Sequence, residues 1–178
     1  MRTITRTILA AVLGIVGLSY TGNVQPVLAQ QTAPCEDDNR FREFDFWIGH
    51  WEVTTPQGQV AGTNTIEKQE QGCMLLESWT SSNGGTGTSI NYFDPAKGKW
   101  VQVWVAAAGY SIWLEGGLED GAMHLVGQIV GLDGSSGPLR GTWTPLEDGR
   151  VRQFFEQSTD GETWTPWFDG YYKRTDAK

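Results

Sequence analysis

The feature that most constrains the fold is a near-regular series of short segments rich in β-branched and aromatic residues, which begins at residue 46. Turn sequences separate the segments, among them TPQGQ at 55–59, NGGTG at 83–87 and DPAKGK at 94–99. Runs of this composition between Gly, Pro, Asn and Asp are typical of β-strands, and connections this short join antiparallel neighbours. No long helical period interrupts the series.

The segments predict about ten strands in one domain over residues 46–174. A chain this dense in strands must protect its sheet edges, and a closed up-and-down barrel does so most completely. We therefore predict an all-β fold, an antiparallel up-and-down β-barrel. The predicted strands lie near 46–55, 60–69, 73–82, 87–94, 99–107, 110–117, 122–130, 139–145, 150–158 and 163–174.

Residues 30–45 form a predicted N-terminal tail that contains one short helix. Within the sequence EDDNRFREFD, Asp38 or Asn39 is a suitable N-cap. Three apolar residues then fall on one helical face. These residues are Phe41, Phe44 and Ile48. Such a helix would form a lid over one end of the barrel, whereas the alternative is a disordered acidic linker.

Residues 1–29 have the pattern of a secretory signal peptide. Arg2 and Arg6 form a basic start, the apolar run ILAAVLGIVGL follows at 8–18, and small residues indicate cleavage near Ala29. The apolar run is too short to span a bilayer, and no later run approaches the required length of about 20 residues. The expected protein is exported, either periplasmic or secreted, without an integral membrane segment.

The charge of the predicted mature chain argues against nucleic acid as a partner. Removal of residues 1–29 leaves 149 residues and changes the formal net charge from −8 to −10. A strongly acidic domain repels phosphate backbones and anionic membrane surfaces. Composition gives no indication of the oligomeric state.

Cys35 and Cys73 are the two cysteines of the chain. An even pair in an oxidising compartment predicts one disulfide. The alternative, a metal or redox pair, is not supported by a CxxC spacing. No set of cysteine, histidine and carboxylate residues has zinc-site spacing either, and we predict no metal.

Gly49-His50-Trp51 lies in the first predicted strand. Because side chains alternate between the faces of a strand, Gly49 and Trp51 share one face with Val53, and His50 lies on the other. If Trp51 fills the base of the barrel, Gly49 leaves room beside it. This pattern favours a structural plug with an outward-facing histidine over a catalytic or metal-binding histidine.

The motif resembles the Gly-x-Trp that opens lipocalins and other calycins. In that superfamily an arginine on the last strand lies across the tryptophan, and Arg174 in DGYYKR stands at the matching position. The strand count is closer to fatty-acid-binding and nitrobindin-like barrels than to eight-stranded lipocalins. The start FDFWIGHW also resembles a group of uncharacterised exported bacterial proteins. Nitrobindin-like barrels hold haem through a histidine nearer the C-terminus than His124, so we predict no cofactor.

Several strands place a carboxylate or amide two residues from an aromatic residue, on the same face. Aromatic walls with a few fixed polar groups are what a ligand pocket requires, and a barrel of this size encloses room for one small ligand. The alternative is that these faces are exterior, with Leu76, Ile112 and Phe155 inside. The predicted ligand-binding residues are Glu77, Trp79, Asn91, Gln102, Trp104, Trp113 and Glu156.

Three functions are compatible with these patterns. The first is a calycin-like barrel that binds a small hydrophobic or amphipathic molecule in its lumen. The second is an enzyme on the same scaffold, such as an isomerase, cyclase or hydrolase, that uses a lumen carboxylate. Glu77, Glu115 and Glu156 are the candidates for an acid–base pair, in which a buried carboxylate with a raised pKa acts as general acid. The third is a structural envelope protein with a filled barrel. Fold alone does not separate them.

Overall fold

The computed structural model describes residues 34–175; the predicted signal peptide over 1–29 lies outside them. Ten antiparallel strands close into a barrel in which each strand pairs with its neighbours in sequence and β1 pairs with β10. This confirms the predicted up-and-down barrel. The strands are β1 (Gly49–Thr54), β2 (Val60–Gln69), β3 (Met74–Ser81), β4 (Thr86–Asp94), β5 (Lys99–Ala106), β6 (Ser111–Glu119), β7 (Ala122–Val130), β8 (Ser136–Pro145), β9 (Val151–Ser158) and β10 (Trp164–Arg174).

The start of β8 differs most from the prediction. The sequence GLDGSSGP was predicted to be entirely turn because of its glycines and proline, yet the strand begins at Ser136. Gly137 pairs with Ile129 and Pro138 with Gln128, so the ladder to β7 extends into the turn-like sequence. Pairing with the neighbouring strand β7 therefore outweighs the turn-favouring composition of this segment.

Short helical turns cover one end of the barrel in place of the single predicted helix. They are helix α1 (Pro34–Asp37), the 3₁₀ turns Asn39–Arg42 and Asp45–Trp47, and a third 3₁₀ turn at Glu70–Gly72. Asp38 caps the first 3₁₀ turn, since its carboxylate accepts a hydrogen bond from the backbone N–H of Arg40 at 3.0 Å. Within residues 34–175, no helix is long and apolar enough to cross a membrane.

The covered end contains a cluster of fully buried aromatic side chains. Phe44 stacks on Trp47 at a centroid distance of 5.0 Å and meets Trp143 and Trp100 edge-on at 5.3 and 5.5 Å. Each large ring buries on the order of 200 Å², so these contacts dominate the packing at this end. The N-terminal turns therefore close the barrel with side chains that belong to its core.

Trp51 and Arg174 form the predicted plug at the same end. They are directly paired across β1 and β10, and the guanidinium carbon of Arg174 lies 4.3 Å from the Trp51 ring centroid. The guanidinium also donates a hydrogen bond to the carbonyl oxygen of Ile48 at 2.7 Å. A side chain at Gly49 would collide with this guanidinium, and Gly49 has a φ of +146°. His50 faces outward, where its Nδ1 lies 3.2 Å from Thr65 Oγ1.

The predicted disulfide between Cys35 and Cys73 is confirmed. The two Cα atoms are 5.0 Å apart, within the range that a disulfide spans without distortion. Cys35 lies in helix α1, and Cys73 directly precedes β3 at the covered end. The bond therefore attaches the N-terminal turns to the barrel at the end that they close.

Candidate functional site

A cavity of about 330 Å³ lies inside the barrel at the end opposite Trp51 and Arg174. Its walls are formed near the hairpins that connect β1 to β2, β3 to β4, β5 to β6 and β9 to β10. The outer lining side chains are partly exposed and the inner ones are buried, so the cavity opens to solvent at this end. The lining residues are Ala61, Glu77, Trp79, Ser81, Gln102, Trp104, Tyr110, Ile112, Gln153, Phe155, Trp167, Phe168 and Tyr172.

Aromatic rings that contact one another form most of the wall. Phe155 is buried, stacks on Trp167 at 6.0 Å and meets Phe168 at 6.5 Å. Towards the opening, Trp79 packs edge-on against Phe168 at 6.2 Å, and Tyr110 against Trp167 at 5.9 Å. Such a wall offers a large apolar contact surface whose rings hold one another in place.

Inward-facing glycines lie behind several of these rings. A Cβ atom at Gly87 would collide with the Trp104 indole, and one at Gly141 would collide with the Phe155 ring. Each ring therefore lies flat against the backbone of a neighbouring strand. A larger residue at either glycine would push the ring towards the barrel axis, so these glycines help to keep the lumen open.

The inner part of the cavity contains one carboxyl group, that of Glu77 on β3. The side chain is 3% exposed, and each of its oxygens accepts one hydrogen bond. Asn64 Nδ2 donates to Oε1 at 2.7 Å, and Ser89 Oγ donates to Oε2 at 2.5 Å. The two donors come from the neighbouring strands β2 and β4, so the barrel wall fixes the orientation of the carboxyl group.

Buried polar side chains continue from Glu77 in both directions around the barrel. On one side, Asn91 Nδ2 donates to Ser89 Oγ at 2.8 Å, and Gln102 Nε2 donates to Asn91 Oδ1 at 2.9 Å. On the other side, Asn64 Nδ2 donates to the Tyr172 hydroxyl at 3.3 Å, and that hydroxyl donates to Gln153 Oε1. We call these seven residues the polar belt. They are Asn64, Glu77, Ser89, Asn91, Gln102, Gln153 and Tyr172.

Burial changes the acid–base properties of the belt. Desolvation raises the pKa of Glu77 to about 7, against the opposing effect of the hydrogen bonds from Ser89 and Asn64. Desolvation also raises the pKa of the Tyr172 phenol well above its ordinary value, with a further contribution from the charge of Glu77. The belt can thus gain or lose one proton near neutral pH, at Glu77.

Four of the seven predicted ligand-binding residues line the cavity. They are Glu77, Trp79, Gln102 and Trp104. A fifth, Asn91, is fully buried inside the barrel but lies in the polar belt without lining the cavity. The structure thus brings five of the predicted residues together in the interior, and ligand binding by them stays a prediction.

The predicted lumen positions of Trp113 and Glu156 are wrong. Trp113 is 43% exposed and lies under the ammonium of Lys97, 5.0 Å from the ring centroid. Glu156 pairs on the outer surface with Arg140 at 2.7 Å. Each strand has a large apolar residue on both faces, and Ile112 and Phe155 occupy the inner positions instead. Glu77 and Glu156 therefore do not form a carboxylate pair.

Sequence analysis missed most of the wall contributed by β9 and β10. One signal was available for Tyr172, which precedes Arg174 by two residues and therefore shares its face of β10. The prediction that Arg174 covers Trp51 thus already placed Tyr172 inside. Trp167 lies at a register shift between β9 and β10, so strict alternation does not determine its direction.

A second depression, of about 360 Å³, lies along β1 and β2 near the covered end. His50, Glu52, Thr63 and Thr65 form much of its surface, and no wall of aromatic rings encloses it. Over residues 34–175, no group of three or more histidine, cysteine, aspartate or glutamate side chains is arranged to hold a metal ion. The aromatic cavity is therefore the stronger candidate site.

Comparison with known proteins adds no family to this description. No family model matches the chain, and the search of curated proteins found no match. The resemblance to calycins therefore depends on Gly49, Trp51 and Arg174 and on the pattern of the barrel.

Proposed function

We propose that the protein is an exported, calycin-like barrel that binds one small hydrophobic or amphipathic molecule in its lumen. The observation that supports this most strongly is the open cavity of about 330 Å³, with aromatic walls and a polar inner surface at Glu77, Gln102 and Gln153. Ligand pockets commonly have volumes from about 300 Å³ upward and combine apolar walls with a few fixed polar groups.

Export is the cellular part of the proposal. The Cys35–Cys73 disulfide supports it, because such bonds persist in oxidising compartments. The signal-peptide pattern over 1–29 supports it independently. The calycin-like assignment is supported by the contact between Arg174 and Trp51.

Binding is favoured over catalysis by a pair of lumen carboxylates. A mechanism with paired carboxylates needs two of them in the lumen, whereas Glu77 is the one carboxyl group among the cavity-lining residues of 34–175. Glu115 pairs with Lys97 and Lys99 on the outside of the barrel, and Glu156 pairs with Arg140. A barrel filled for a purely structural role would lack a cavity of this size.

The proposal is tested by the fluorescence of N-phenylnaphthylamine, an uncharged aromatic probe that brightens in apolar surroundings. Ala61→Phe places a ring in the cavity, where Ala61 forms part of the lining. Val60→Phe is the matched control, because Val60 is 52% exposed on the outside of the same strand. Both variants gain the same side chain at adjacent positions.

We expect wild type and Val60→Phe to bind one probe per chain with similar affinity. Ala61→Phe should bind about tenfold more weakly or worse, a loss of about 1.4 kcal/mol or more. Equal affinity of all three proteins would place the probe outside the lumen and contradict the proposal.

A further inference from the structure

The cavity lining contains no basic side chain among the described residues. Three of its members can ionise, namely Glu77, Tyr110 and Tyr172. A ligand with a carboxylate or phosphate group would therefore find no cation to pair with and would face Glu77 instead. Burial of an uncompensated anion beside a second acid is unfavourable.

Several basic side chains near the lining strands are engaged on the outer surface. Lys97 and Lys99 both pair with Glu115, at 2.8 and 2.7 Å. Arg152 forms two hydrogen bonds with Asp169, at 2.9 and 2.8 Å. Because these strands alternate their faces, such side chains cannot turn inward without a register shift.

Glu77 retains capacity to accept hydrogen bonds from a ligand. A carboxylate has about four acceptor positions, and Asn64 and Ser89 use one on each oxygen. The Oδ1 atom of Asn64 is itself buried without a hydrogen-bond partner, which adds an acceptor to the same region. An ammonium group has three donors and no acceptor, so it complements this arrangement.

The aromatic wall also favours a positively charged ligand. The faces of aromatic rings carry partial negative charge and attract cations, and tryptophan does so most strongly. Trp79, Trp104 and Trp167 all line the passage from the opening towards Glu77. An entering cation would meet indole rings first and the carboxylate last.

From these observations, and resting on the proposed function, we propose that the ligand is an amphipathic organic cation whose ammonium group binds at Glu77 while its apolar body contacts the aromatic wall. The same groups disfavour carboxylate amphiphiles. This assigns a chemical class to the ligand and a specificity-determining role to Glu77.

Glu77 is also the group whose ionisation controls the affinity. The side chains that face it are Asn64 on β2, Ser89 on β4, Tyr172 on β10 and, across the cavity, Tyr110. Burial raises the pKa of both tyrosines above 10, so they stay neutral between pH 6 and 8. The affinity for a cation should therefore fall as the pH is lowered and Glu77 is protonated.

The test uses three ligands of nearly equal shape, phenylbutylamine, phenylbutanol and phenylbutyrate, in calorimetric titrations of the wild-type protein at pH 8 and pH 6. At pH 8 we expect the amine to bind about tenfold more tightly than the alcohol, with the acid weakest. At pH 6 the advantage of the amine over the alcohol should shrink severalfold. Glu77→Gln should abolish the advantage of the amine over the alcohol, measured as the ratio of the two affinities in the same protein.

Binding of the alcohol tests the proposed function alone, because the alcohol is uncharged and does not depend on the preference for a cation. If the alcohol binds but the amine has no advantage, or if the acid binds more tightly, the cation assignment is wrong and lumen binding stands. If none of the three ligands and no uncharged probe binds, both proposals are wrong. Should Glu77→Gln fail to fold, the pH dependence of the amine-to-alcohol ratio in the wild type decides the question.

Discussion

The indole of Trp104 lies against the backbone of Gly87, in the space that any side chain at position 87 would occupy. Trp104 belongs to β5 and Gly87 to the neighbouring strand β4. The same relationship joins Phe155 to Gly141. The space left by the absent side chain of each glycine thus accommodates an aromatic ring from the neighbouring strand. This arrangement keeps bulky side chains in the wall of the barrel and out of its lumen.

This relationship predicts that Gly87→Ala narrows the cavity. The new methyl group should displace the Trp104 ring towards the lumen, lower the affinity for N-phenylnaphthylamine about tenfold and cost about 1–3 kcal/mol of stability through overpacking. Gly117→Ala is the control, because an added Cβ there meets nothing within 4 Å. Probe titration and urea unfolding of both variants provide the measurement. Unchanged binding by Gly87→Ala would show that the glycine does not set the cavity volume.

The plug at the covered end should contribute strongly to stability. Trp51 is 1% exposed, and Trp51→Ala should cost about 3–5 kcal/mol, as other large-to-small core substitutions do. Arg174→Ala should cost up to about 2 kcal/mol, because it loses the contact with the indole and the hydrogen bond to Ile48. Lys173→Ala, at an exposed neighbouring position, should change the free energy of unfolding by less than about 0.5 kcal/mol. Urea denaturation measures these changes, and equal losses of unfolding free energy in Arg174→Ala and Lys173→Ala would contradict the account.

The disulfide should stabilise the protein mainly by restricting its unfolded state. The bond closes a loop with a sequence separation of 38, for which the chain-entropy relation gives about 4 kcal/mol. The double variant Cys35→Ser, Cys73→Ser should unfold at lower urea concentration than the oxidised wild type. The two proteins should become similar once the wild type is reduced. A double variant as stable as the oxidised protein would argue against this role.

Glu77 should make stability depend on pH in the direction opposite to most carboxylates. Its pKa rises from an ordinary value of 4.5 to about 7 in the folded state, so between these values the folded protein binds more protons than the unfolded chain. The contribution of Glu77 to the free energy of unfolding is therefore fully present below pH 4.5 and is lost as the pH rises through 7. This loss is on the order of 3 kcal/mol.

The variant Glu77→Gln isolates this effect from other titrating groups. Relative to wild type, its free energy of unfolding should increase by on the order of 3 kcal/mol between pH 4 and pH 8. Glu115→Gln, on the outer surface, should lack such an increase, because the lysines at 97 and 99 lower the pKa of Glu115 instead. If the free energies of unfolding of Glu77→Gln and wild type differed by the same amount at every pH in this range, Glu77 would not titrate as described.

The sequence was sufficient for the strand order because the strand boundaries depend on local signals. Turn residues recur between strands, so boundaries such as those of β2 and β7 agree with the prediction. Alternation within β1 predicted that Gly49 and Trp51 share one face, whereas the position of Arg174 across Trp51 was implied by the resemblance to calycins. The N-terminal turns were harder to predict, since their form depends on how Phe44 and Trp47 fit into the end of the barrel.

The site could be predicted only where one face of a strand is clearly apolar or polar. On β3 the inner face contains Glu77 and Trp79. By contrast, β6 has an aromatic residue on one face and aliphatic residues on the other, and β9 has phenylalanines on both faces. Trp113 is exposed, although it lies two residues from a carboxylate, as the inner residue Trp79 does. The partners of Glu77 were not predictable, because Asn64 and Ser89 approach it through strand register, which is set by pairing across the whole sheet.

The most direct test of lumen binding is a crystal structure of the protein soaked with bromophenylbutanol, whose bromine is located by anomalous diffraction. The account predicts one bromine among the rings of Trp79, Trp104 and Phe155, with the hydroxyl directed towards the polar belt. A bromine found only on the outer surface, for example against Trp113, with an empty lumen, would contradict it.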